Sequence, residues 1–296
     1  MIRRRLGETT LAVSPLAWGM WRFRGDDLDG AKALVETALD TGINLFDTAD
    51  IYGPDNGEPF GAAEALLGRV FARDSRLRDR MVLATKVGIE MGVPYNSSAA
   101  YLTAACEASL RRLGVERIDL YQIHRPDTLT HPAEVARGLD DLRRAGKIAE
   151  AGVSNHTPAQ VAALVAHLPF KLATIQPEFS PLAIDPVSDG VLDQAMQLGL
   201  GVLAWSPLGQ GRLGADSAEG RPGEVAAVLD TLAASHGVSR SAIAYAWILA
   251  HPARPIPIVG SQQPARIREA TQALTVSLTR TEWYGVLTAA RGAPLP

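Results

Sequence analysis

Residues 148–176 read IAEAGVSNHTPAQVAALVAHLPFKLATIQ, and this stretch decides the fold. Ile148-Ala149-Glu150-Ala151-Gly152-Val153 is a short apolar run of the kind that forms a buried strand. Thr157 stands three residues before Gln160 with Pro158 between them, a capping box with proline at the first helical position. Val161, Leu164, Val165 and Leu168 then fall on one helical stripe. Ala173-Thr174-Ile175 forms the next apolar run.

Outward from this unit the same alternation repeats. The other runs are Leu16-Ala17-Trp18, Ile43-Asn44-Leu45-Phe46, Met81-Val82-Leu83-Ala84, Ile118-Asp119-Leu120-Tyr121-Gln122-Ile123, Gly201-Val202-Leu203-Ala204-Trp205 and Ile256-Pro257-Ile258-Val259, eight in all. Ala31, Leu34, Val35, Ala38 and Leu39 mark another amphipathic helix, and Gly42, Gly114, Gly146 and Gly199 stand where helices should stop. Strand alternating with helix predicts a parallel sheet, and eight units can close it into an α/β (β/α)8 TIM barrel. A doubly wound sheet is the competing arrangement, but no Gly-x-Gly-x-x-Gly follows an early strand. Residues 2–13 are expected to form an N-terminal hairpin closing the barrel bottom. Residues 209–255 should hold a loop and two helices, and residues 279–291 an extra C-terminal helix. Residues 1–296 read as a single barrel domain.

Composition narrows the function. Lys+Arg is 29 against Asp+Glu 32, a net charge of -3, which argues against a nucleic-acid or membrane-surface partner. No apolar run is long enough to cross a bilayer, and the basic start Arg3-Arg4-Arg5 has no apolar segment of a signal peptide behind it. The single cysteine, Cys106, rules out an intrachain disulfide, so a cytoplasmic location is expected.

In such a barrel the active site forms at the carboxyl ends of the strands. The second run there ends in Asp47-Thr48-Ala49-Asp50-Ile51-Tyr52-Gly53, the third in Thr85-Lys86, the fourth in His124-Arg125-Pro126-Asp127 and the fifth in Ser154-Asn155-His156. Singly, each has an ordinary explanation: Asp47 as a cap, Tyr52 as a packed loop aromatic, His124 as a hydrogen-bonded structural histidine. Lys86 is harder to explain so, because a lysine at the end of an apolar strand must snorkel or pair with a buried carboxylate. Together, Asp47, Tyr52, Lys86 and His124 form a proton-transfer set. An unperturbed tyrosine has a pKa of about 10. A neighbouring ammonium is expected to lower it. Asp47 would keep Lys86 charged, Tyr52 would donate a proton to a carbonyl oxygen, and His124 would orient that oxygen.

At these residues the chain resembles the aldo-keto reductases, most closely their bacterial single-domain members. The resemblance rests on Gly42-Ile43-Asn44-Leu45-Phe46-Asp47-Thr48-Ala49-Asp50-Ile51-Tyr52-Gly53, Thr85-Lys86 and Asp119-Leu120-Tyr121-Gln122-Ile123-His124-Arg125-Pro126. It continues through Gly152-Val153-Ser154-Asn155, Trp205-Ser206-Pro207-Leu208-Gly209 and Ile256-Pro257-Ile258-Val259-Gly260-Ser261, in order over almost the whole chain. It implies carbonyl reduction by NADPH with Asp47, Tyr52, Lys86 and His124 as the catalytic tetrad. It also implies that Ser154, Asn155 and Gln176 bind the carboxamide and that Trp205 stacks on the nicotinamide. Ser206, Leu208, Gly209 and Arg212 would clasp the pyrophosphate.

Near the last strand the match loosens. Ser261 and Arg266 fall in register with the family's adenosine-phosphate grip, but Gly260 replaces a lysine and Ala270 an asparagine. Arg268 or Gln262 is expected to compensate. NADPH is preferred on this reading and NADH stays open. Trp21, with Tyr52 and residues 89–97, is expected to line the substrate pocket. The short tail after Arg291 suggests an open pocket. The expected partner is a small-molecule carbonyl compound, with no metal, no nucleic acid, no membrane and a monomeric chain. Two alternatives compete: a metal-dependent barrel hydrolase, which needs converging histidines where this chain has only His124 and His156 at strand ends, and a cofactor-binding redox-sensing or regulatory barrel with slow turnover.

Overall fold

The computed structural model describes residues 1–214 and 219–295. Two short strands, β1 (Arg4–Arg5) and β2 (Ala12–Val13), pair antiparallel ahead of the barrel. Eight parallel strands follow: β3 (Ala17–Gly19), β4 (Leu45–Asp47), β5 (Val82–Val87), β6 (Ile118–Ile123), β7 (Ile148–Ser154), β8 (Thr174–Gln176), β9 (Gly201–Ala204) and β10 (Ile256–Val259). They close in the order β10-β3-β4-β5-β6-β7-β8-β9, a (β/α)8 TIM barrel. All eight expected runs are strands of this barrel, shifted by at most a few residues.

The helices pack outside. They are α1 (Leu28–Asp40), α2 (Ala62–Arg73), α3 (Arg76–Asp79), α4 (Ala99–Leu113), α5 (Pro132–Arg144), α6 (Pro158–Val165) and α7 (Val191–Leu198). The chain continues through α8 (Gly220–His236), α9 (Arg240–Leu249), α10 (Pro264–Ala270) and α11 (Arg280–Arg291). The Thr157–Gln160 capping box forms at the start of α6. Gly114 and Gly199 end α4 and α7 in the left-handed conformation, which costs glycine nothing. The expected two helices between β9 and β10 are α8 and α9, while residues 215–218 of that segment and Pro296 lie outside the described residues. The terminal helix α11 is clipped to α9. Trp247 Nε1 donates to the Trp283 carbonyl and Trp283 Nε1 to the Trp247 carbonyl, each at 3.0 Å, with the rings stacked 5.0 Å apart. Such an aromatic pair adds about 0.5–1.5 kcal/mol beyond its burial.

The hairpin packs against the bottom of the barrel. Leu6 and Val13 of the hairpin join Ala17, Leu45, Leu120 and Leu203 in the inner core. The hairpin approaches β9 so closely that a Cβ on Gly201 would stand 2.5 Å from Leu6 Cδ1. At the carboxyl end, Asp47, Ser154 and Gln176 are the last residues of β4, β7 and β8. Among the described residues no helix is long and apolar enough to cross a membrane.

Candidate active site

Strand register places the tetrad. Asp47 pairs with Ala84 across β4 and β5, so Lys86, two residues on, points to the same inner face. Asp47 and Lys86 are only 2% and 1% exposed. Lys86 Nζ donates to Asp47 Oδ2 at 2.7 Å, to the Thr48 carbonyl at 2.9 Å and to Tyr52 Oη at 3.0 Å. Its three protons meet three acceptors, so the buried ammonium is satisfied. Tyr52 sits on the β4–α2 loop, its carbonyl held by the Ala63 N–H. His124 follows β6, and its ring lies edge-on to Tyr52 at 5.9 Å.

Burial and charge set the protonation states. Burial lowers the pKa of Lys86, but Asp47 and Tyr52 outweigh it and leave the value raised, so the ammonium persists. For Tyr52 the outcome corrects the sequence expectation. Burial pushes its pKa up, Lys86 pulls it back, Asp47 adds to the rise, and the net direction is above 10. The ammonium offsets only part of the penalty for forming tyrosinate in a dry site beside a carboxylate. Tyr52 is thus a neutral phenol at neutral pH, with its proton in place. Burial, then the charges of Lys86 and Arg125, hold His124 well below 6.5, so its imidazole is uncharged.

Two buried amides hold the other carboxylate oxygen: Gln176, expected from the sequence only at the cofactor, and Gln122, which sequence reasoning missed. Gln176 Nε2 donates to Asp47 Oδ1 at 3.0 Å and Gln122 Nε2 at 3.4 Å. Thr174 Oγ1 in turn donates to Gln122 Oε1 at 3.1 Å. Gly152 makes room: a Cβ there would lie 1.9 Å from Thr174 Oγ1. The available signal was Gln122 itself, a polar side chain inside an apolar run and in phase with His124.

The residues expected to contact cofactor form one arc, because β7, β8, β9 and β10 are neighbours. Ser154 Oγ donates to the Gln176 carbonyl at 2.8 Å. Asn155, in the left-handed region at φ 58, donates to Ser154 Oγ and the His124 carbonyl and accepts from Trp205 Nε1 at 2.9 Å. Its amide is thus engaged within the protein, whereas the Gln176 side-chain carbonyl accepts no hydrogen bond among the described residues. The loop after β9 turns through left-handed conformations at Ser206, Gly209 and Gln210. The N–H groups of Leu208 and Gln210 meet no acceptor among the described residues. Arg212 spends Nε on the Gly209 carbonyl and is otherwise exposed. Beyond β10, Gly260 borders open space, the Ser261 carbonyl accepts from Trp18 Nε1, and Arg266 is exposed. Gln262 does not reach outward as expected; its amide donates to the Gly19 carbonyl at 3.0 Å. Trp21 is 41% exposed at the rim, its carbonyl tied to Asn56 of the loop that carries Tyr52.

A belt of amide, indole and free backbone N–H groups beside a lysine–tyrosine pair, on a TIM barrel, defines a class. The aldo/keto reductase family model matches residues 15–286, and the chain belongs to this family. It is 56% identical to a 6-dehydroglucose reductase of Novosphingobium aromaticivorans, over 99% of this chain and 97% of the relative. It is 36% identical to a protein of the same name from Agrobacterium fabrum, over 95% and 96%. A thermostable aldo-keto reductase solved with the inhibitor epalrestat has the same fold, with a TM-score of 0.84 at 24% identity, over 98% of this chain and 100% of that one. The chain is therefore an NAD(P)H-dependent oxidoreductase of the carbonyl-reducing kind.

Proposed function

We propose that the chain reduces aldehyde or ketone carbonyls to alcohols with NADPH, using Tyr52 as proton donor, on a hydroxylated aldehyde of the 6-dehydroglucose kind. The observation that carries this reading is Lys86 Nζ standing between Asp47 and Tyr52 at 2.7 and 3.0 Å. When bound, the cofactor supplies hydride to the carbonyl carbon. Tyr52 gives its proton to the carbonyl oxygen, and the adjacent ammonium stabilises the phenolate left behind. Asp47 keeps Lys86 charged, and neutral His124 hydrogen-bonds the same oxygen. Gln176, with Ser154 and Asn155, holds the carboxamide, and Trp205 offers its ring face to the nicotinamide. Ser206, Leu208, Gly209 and Arg212 take the pyrophosphate, and Gly260, Ser261 and Arg266 the adenosine phosphate. Trp21 borders the substrate. The same reading treats residues 1–296 as one domain acting as a monomer.

The substrate part rests on the two 6-dehydroglucose reductases among the relatives. The test is loss of NADPH absorbance, with NADH in parallel, against 6-dehydroglucose and a panel of simple aldehydes and ketones. Absence of cofactor oxidation by every carbonyl in single turnover would sink the reading. Turnover of simple aldehydes but not 6-dehydroglucose would sink only its substrate.

A further inference from the structure

We infer that Arg125 is the substrate-recognition cation of this site, and that it takes an acceptor oxygen, hydroxyl or carboxylate, borne by the substrate close to its carbonyl. This deepens the carbonyl-reductase reading and rests on it. Arg125 follows His124 directly at the mouth of the barrel and is half-buried. Its guanidinium lies 5.8 Å from the centre of the Trp205 ring. That ring is itself fixed through Nε1 to Asn155 Oδ1. Yet among the described residues Arg125 has no hydrogen bond and no ion pair.

Other part-buried arginines of the barrel are partnered. Arg112 bonds Glu64 and Ser109, and Arg78 bonds Asp119 and two carbonyls. The carboxylate nearest Arg125 in sequence is already committed. Asp127 accepts from the Ser97 N–H, the Leu129 N–H and Thr130 Oγ1 at 2.8, 2.9 and 2.6 Å. A guanidinium partly removed from water and given no acceptor is a cost unless a ligand supplies one. Its planar fork matches paired oxygens, such as a carboxylate or neighbouring hydroxyls. The charge also reaches the reacting atoms, since it lowers the pKa of both Tyr52 and His124. Tyr52 and His124 take the carbonyl oxygen, so Arg125 is left for a second oxygen beside it.

Matched substrates test this. Glyceraldehyde and propanal share a carbon skeleton but differ by two hydroxyls. Succinate semialdehyde and butanal differ by a carboxylate. The quantity read is the ratio of kcat/KM within each pair, which cancels any general effect on Tyr52. Arg125→Met is expected to lower at least one ratio by about tenfold or more, the worth of a charge-assisted hydrogen bond. The pair affected identifies the oxygen, and Arg125→Lys should restore discrimination better for the carboxylate than for the hydroxyls. Unchanged ratios overturn the inference. So does a loss that follows NADPH affinity, titrated by tryptophan fluorescence, because Arg125 would then serve the cofactor. If the wild type reduces no carbonyl at all, the reductase reading fails separately. Calorimetric titration with methyl glucoside and with succinate then decides for Arg125. Equal affinities in wild type and Arg125→Met overturn it, and a tenfold loss for either ligand supports it.

Discussion

Gln176 donates its side-chain amide to Asp47 Oδ1 at 3.0 Å, so a residue expected at the cofactor also grips the buried carboxylate of the tetrad. Gln122 reaches the same oxygen from β6 at 3.4 Å. The two glutamines leave Oδ2 to Lys86 alone and fix the carboxylate plane. Their separate positions make them separable by mutation. Gln122→Leu should lower kcat by about tenfold, through a less well held Asp47–Lys86 pair, and leave the NADPH Kd unchanged. Gln176→Leu should lower kcat and also weaken NADPH. Equal loss of NADPH affinity in both variants would show that Gln122 acts on the barrel as a whole.

Tyr52→Phe keeps the ring and deletes the proton. A proton donor acts as charge develops on the carbonyl oxygen, so the loss should fall on kcat and not on cofactor affinity. We expect a folded protein whose tryptophan fluorescence NADPH still quenches, with carbonyl reduction lower by at least about 10²-fold. Reduction at the wild-type rate in single turnover would assign the proton to another group.

Lys86→Arg should also be nearly inactive, although the charge is kept. The ammonium meets Asp47, the Thr48 carbonyl and Tyr52 as a compact donor in a space that is almost wholly buried. A guanidinium is larger and planar and cannot present three protons in those directions. Near-normal kcat in the Arg variant would remove the ammonium from proton transfer.

The architecture was legible because its signals are local. Apolar runs such as Ile118–Ile123 and Gly201–Ala204, the Thr157 capping box and the glycines that end α4 and α7 each declare an element without reference to the rest of the chain. Strand ends then brought the polar residues to one rim. The amide contacts behind the tetrad were not legible, because they depend on which side chains face each other inside the closed barrel. Gln122 meets Asp47 and Thr174 across three different strands, and Gly152 matters only because Thr174 Oγ1 occupies the space its Cβ would need. The direction of the Tyr52 shift escaped for a related reason. A neighbouring ammonium can be read from sequence, whereas the larger effect of burial cannot.

Arg266 is the exposed cation in register with the phosphate grip, and the family's lysine is absent at Gly260. It should carry more of the discrimination between the two cofactors. Loss of one charge-assisted bond is worth roughly 1.5–3 kcal/mol. Arg266→Ala is therefore expected to weaken NADPH by more than about tenfold and barely affect NADH. Matching losses for the two cofactors would place Arg266 on their shared portion or on the fold.

Asp50 offers a test through stability. It is fully buried, and neither carboxylate oxygen has a hydrogen-bond partner among the described residues. Burial and then the negative charge of Glu64 raise its pKa well above 3.8, against the partial offset of Arg112, the adjacent Ile51 N–H, which falls short of hydrogen-bond geometry, and Lys86. The folded protein therefore keeps this proton to higher pH than the unfolded chain does. Between the two pKa values the native state binds more protons, so stability falls as pH rises. The protonated form's contribution is complete below about pH 3.8 and is lost progressively above it, by at most about 1.4 kcal/mol per pH unit. An asparagine at this position would not titrate. Asp50→Asn should therefore have nearly the wild-type Tm at pH 4 and a higher Tm at pH 7, the gap growing until the pH passes the raised pKa of the folded state. A pH-independent difference, or a variant less stable than wild type at pH 7, would mean that Asp50 is ionised in the native protein and held by its cationic neighbours.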